Sequence, residues 1–83
     1  MPYITKERRY LIDNDHDPLT AGELNYTITK IINNYLYSSG LSYSKINDVM
    51  GVLECAKLEL YRRVAVPYEN AKLAENGDVF SVS

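Results

Sequence analysis

Two short clusters in this chain combine cations with tyrosine rings. Lys57, Tyr61, Arg62 and Arg63 fall within one stretch, and Lys6, Arg8, Arg9 and Tyr10 within another. Guanidinium forks make paired, charge-assisted bonds to phosphate oxygens, and an aromatic face stacks on a purine. The chemistry these residues offer is recognition of a phosphate joined to a base. The same arginines also suit a plainer role: Arg62 or Arg63 pairs with Glu59, which stands at i, i+4 from Arg63, and cations complement the negative end of a helix.

Nothing comparable supports catalysis. His16 is the one histidine and stands among acids in DNDHD, with no nucleophile beside it. Cys55 sits inside an apolar helical run, where a small buried thiol is the expectation. Glu54, Glu59 and Glu69 have no spacing that places two carboxylates around a substrate. Asp13, Asp15 and Asp17 resemble the opening of a calcium loop, but Pro18 and Leu24 stand where its Gly and Glu belong. The chain is therefore expected to be no enzyme, with no metal and no cofactor.

The elements that must position these residues are helical. From Tyr43 to about Val66 the apolar residues Ile46, Val49, Met50, Leu53, Ala56, Leu60 and Val64 recur at steps of three and four. Gly51 costs about 1 kcal/mol against Ala in a helix interior, and with Cys55 it forms a notch open to a neighbouring helix or a ligand. Pro67 ends or kinks this helix, and a short third helix is expected over about 67–75, stopped by Asn76-Gly77.

Upstream, Thr20-Ala21-Gly22-Glu23 reads as a capping box opening a helix over about 21–38. Gly40 is placed to end it, and the short link to Tyr43 predicts an antiparallel hairpin. Residues 1–19 form an N-terminal arm and an acidic linker, and Asp78–Ser83 a short tail that buries Phe80 or hangs loose. The fold class is all-α, with 1–83 as a single small helical domain.

With 83 residues, the core of one copy is marginal, so association into a homo-oligomer is expected. A net charge of −2 argues against binding DNA or RNA duplexes. One cysteine excludes an internal disulfide, and no apolar run suggests a signal peptide or a membrane span. A cytoplasmic location is expected. Eight tyrosines and no tryptophan leave tyrosine as the main aromatic, for packing or for a binding surface.

The segments GELNYTITKIINNYL (22–36), INDVMGVLECAKLELYRRVAVPYENAK (46–72) and ENGDVF (75–80), behind the start MPYI, resemble an uncharacterised family of small bacterial and phage proteins. That likeness implies a class rather than an activity. The segment GVLECAKLELYRRVAVP (51–67) is in turn similar to the last helix of phage nucleotide sponges, which block cyclic-oligonucleotide immune signalling. Those proteins are small, helical and oligomeric, and sequester the messenger between subunits without cleaving it. The resemblance implies an anti-defence binding protein for a nucleotide-type second messenger, working in a host cytoplasm. The alternative is a helical module for assembly or for binding a protein partner.

Overall fold

The computed structural model describes residues 2–81, so Met1, Val82 and Ser83, at the two ends of the expected arm and tail, lie outside the described residues. The described chain is all-helical: α1 (Lys6–Asp13), α2 (Ala21–Tyr37), α3 (Tyr43–Leu60) and α4 (Val66–Asn76), with a π turn at Tyr61–Ala65 joining α3 to α4. It divides into two compact units, Met1–Ile46 and Asn47–Ser83, the boundary falling inside α3.

In the first unit, the arm contains a true helix. Thr5 caps it by accepting from the Arg8 N–H at 3.2 Å, and Glu7 lies in the positive first turn. Its C-terminus closes with the two bonds of a Schellman motif: the His16 N–H reaches Leu11 O and the Asp15 N–H reaches Ile12 O. Asp15 occupies the left-handed position at φ 70°, where glycine is the unstrained choice. Asp15→Gly is accordingly expected to stabilise the end of α1 by about 0.5–1 kcal/mol. Slower amide exchange over Leu11–His16 is the readout.

The start of α2 follows the capping box in part. Thr20 Oγ1 accepts from the Glu23 N–H at 3.1 Å, as the box requires. The Glu23 carboxylate accepts instead from the Leu19 N–H at 3.0 Å, one residue further back, because the same carboxylate is also held by Arg8. Gly40 takes φ 96° just after α2, and Ser42 caps α3 by accepting from the Lys45 N–H at 3.2 Å.

In the second unit, Pro67 does not end the helix. The helical run passes through it, and the change of geometry comes earlier, in the π turn. A proline offers no N–H to the carbonyls one turn back, and its ring crowds the carbonyl four residues before it. One wider turn relieves both problems: the Val66 N–H bonds to Tyr61 O, five residues away, and Pro67 then falls in the first turn of α4, where it is tolerated. Gly77, at φ 86°, ends α4, its N–H bonded to Leu73 O.

Neither unit encloses a hydrophobic core of its own. Among the described residues no apolar side chain is buried, and Glu23, 7% exposed, is the buried residue. Cys55 is exposed, which corrects the expectation of a buried thiol. Phe80 is 76% exposed, and its N–H bonds to Asp78 Oδ1 at 2.9 Å in a local turn.

Candidate functional site

The π turn carries three of the sequence-predicted residues, Tyr61, Arg62 and Arg63, with Lys57 one turn before it. Glu59 organises the two arginines. Arg62 donates to Glu59 Oε2 at 2.7 Å and Arg63 to Glu59 Oε1 at 3.5 Å, while Lys57 pairs with Glu54 at 3.5 Å. All five charged side chains are at least half exposed, so these pairs add little to stability. Two guanidinium groups sharing one carboxylate leave a net positive charge for an incoming anion. A pairing of Glu59 with Arg62 or Arg63 was legible in the sequence; that both arginines share it was not.

The second cluster lies in the first unit. Arg8 makes a bidentate pair with Glu23, Nε to Oε2 at 3.0 Å and an NH2 group to Oε1 at 2.7 Å. This fastens α1 to the start of α2. Arg8 therefore has a structural partner that the sequence reading missed. Arg9 lies over the Tyr26 ring, 5.8 Å from its centre, and its buried Nε has no hydrogen-bond partner. The Tyr26 hydroxyl donates to Asp13 at 2.9 Å. Lys6 and Tyr10 are exposed.

The electrostatics follow these contacts. The hydrogen bond from Arg8, and then the Leu19 N–H, hold the Glu23 carboxyl below its ordinary pKa, and Glu23 raises that of Arg8. Partial desolvation, followed by the Asp13 carboxylate, raises the Tyr26 hydroxyl. A carboxyl with a depressed folded-state pKa stabilises above its unfolded value and loses that contribution as the pH falls through the folded value. The α1–α2 junction is therefore expected to loosen in acid, below the ordinary glutamate range. Glu23→Gln is expected to remove this acid step, read as the pH dependence of amide exchange in α1.

Two clefts stand apart from both clusters. One, of about 430 Å³, is lined by Ile12, Asp13, Asp15, Thr27, Lys30, Ile31 and Asn34. The other, of about 340 Å³, lies beside the end of α4 around Leu73, Val79 and Phe80. Neither is lined by a residue of the two basic clusters. Among the described residues no three His, Cys, Asp or Glu side chains are placed to hold a metal ion, and no helix is long and apolar enough to cross a membrane.

Residues 1–79 match the family model described as Domain of unknown function (DUF6899). No curated protein and no solved structure matches the chain.

Proposed function

The chain belongs to that family, and for it we propose a non-catalytic helical module that works as a homo-oligomer. The observation that carries this reading is the missing core. Leu53, Leu58, Leu60, Val64 and Leu73 are all between 40% and 61% exposed along one helical run. Isolated helices are marginal in water, and most helical stability in proteins comes from packing an apolar face. Small proteins without a sufficient core use association instead. The expected hairpin of α2 on α3 would cover part of these faces, and a copy-to-copy contact would cover the rest. Static light scattering across the micromolar range is the test. A mass at a multiple of 9.5 kDa supports the module, and a monomer at high micromolar concentration sinks it.

A second reading has its own observation, the π turn. π turns inside helices are frequent at functional sites, and this one presents Tyr61, Arg62 and Arg63 together. We propose that a nucleotide-type second messenger is held there, at junctions between copies, and sequestered without turnover, as in the phage sponges that residues 51–67 resemble. Calorimetry with cyclic di- and trinucleotides and NAD-derived messengers tests this. No binding tighter than about 10 μM, near −7 kcal/mol, would end the sequestration reading. Where binding occurs, Arg62→Ala and Arg63→Ala are each expected to weaken it at least tenfold while the assembly mass is unchanged.

A further inference from the structure

The apolar residues of α3 and the π turn form a seam with internal symmetry. Ile46, Val49, Leu53, Ala56 and Leu60 follow at steps of three, four, three and four, the spacing of a coiled-coil seam. A strict heptad would next call on position 63, which is Arg63. The π turn takes up one additional residue, and Val64 comes round to the seam in its place. The seam then runs from Ile46 to Val64 and reads alike from both ends, about a centre between Glu54 and Cys55.

We propose that this seam pairs antiparallel with the same seam of a second copy, about a two-fold axis near Glu54–Cys55. The proposal rests on the assembly reading above and names its surface. The two-fold operation places Ile46 against Val64 of the second copy, Val49 against its Leu60 and Leu53 against its Ala56. On one flank Met50 meets a Tyr61 ring, a favourable sulfur–aromatic contact.

Two physical arguments favour a second copy in this orientation. The first is packing. The antiparallel match sets the large Leu53 against the small Ala56 on both sides of the centre, whereas a parallel, in-register pair would set Ala56 against Ala56 and leave a gap. The second is area. Ile46, Met50, Leu53, Leu60, Tyr61 and Val64 are 38–66% exposed. Together they offer roughly 700 Å² per copy, close to the ~800 Å² per partner of a stable interface.

Spin-label distances between copies test the orientation. Cys55 is native, exposed and at the proposed centre, so its labels are expected about 20 Å apart, one helix-pair width. A label on Lys72→Cys in a Cys55→Ser background lies 17 residues from the centre and is expected about 50 Å from its mate. Equal distances at the two positions mean parallel pairing and overturn the proposal, while leaving assembly itself intact. A monomer with no dipolar signal overturns both. A size exchange checks the contacts independently. Leu53→Ala and Ala56→Leu are each expected to weaken association about tenfold, and the double variant to recover within about threefold of the native chain. A double variant as weak as the worse single one also counts against the pairing.

Discussion

Leu53→Asp is expected to weaken association of the chain by about 10²- to 10⁴-fold and to lower its helicity at micromolar concentration. Leu53 sits mid-seam between Val49 and Ala56 and is 40% exposed in one copy. Burying a leucine contributes about 1.5–3 kcal/mol, and each symmetric pair buries two. An aspartate there also brings a carboxylate into an apolar contact with no partner. Cys55→Ser, on the face turned away from the seam, is expected to leave association within threefold of native. Equal behaviour of the two variants in sedimentation equilibrium would mean that α3 does not associate through this face.

Pro67→Ala is the second large effect, and its two consequences have opposite signs. An alanine restores an N–H to the helix and removes the crowding that the π turn relieves. The helix itself becomes more favourable, by less than the ~3 kcal/mol that separates alanine from proline in a helix interior, because Pro67 already sits in a tolerated first turn. If the π turn relaxes to α, every residue of α4 rotates by about 100° relative to α3, and Arg63 swings toward the apolar seam beside Val64. The expected result is higher helicity per chain with association weaker by about tenfold or more, read by circular dichroism and sedimentation on the same samples. Unchanged association would separate the π turn from assembly and leave it with the ligand reading alone.

The parts of the fold that were legible in the sequence are those decided within a few residues. Thr20 and Glu23 opened α2, Gly40 took the positive φ expected of it, and Gly77 ended α4, because caps depend on local bonds. α1 was harder to read. It has only eight residues, and its Arg8 is held by Glu23, fifteen positions away. No local pattern carries that pairing.

Pro67 marked the junction with the next helix, and the π turn just before it went unread because Pro67 is the loudest local signal there. The quieter one was the spacing itself: Ala56, Leu60 and Val64 show two successive steps of four, the trace of one inserted residue. For the candidate site, the grouping of Tyr61, Arg62 and Arg63 was visible as a string. That both arginines share Glu59 depends on helical geometry near the π turn. The exposure of Cys55 was misjudged for a physical reason. Helical periodicity marks which face is apolar and says nothing of what covers it.

If copies cover one another's helices, helicity and association are a single equilibrium, and the apparent stability must depend on concentration. Circular dichroism at 222 nm across a dilution series from high to low micromolar chain concentration tests this most directly. The account predicts that helicity falls on dilution and that the thermal midpoint rises with concentration. A helical signal and a midpoint that stay constant throughout the series would contradict it.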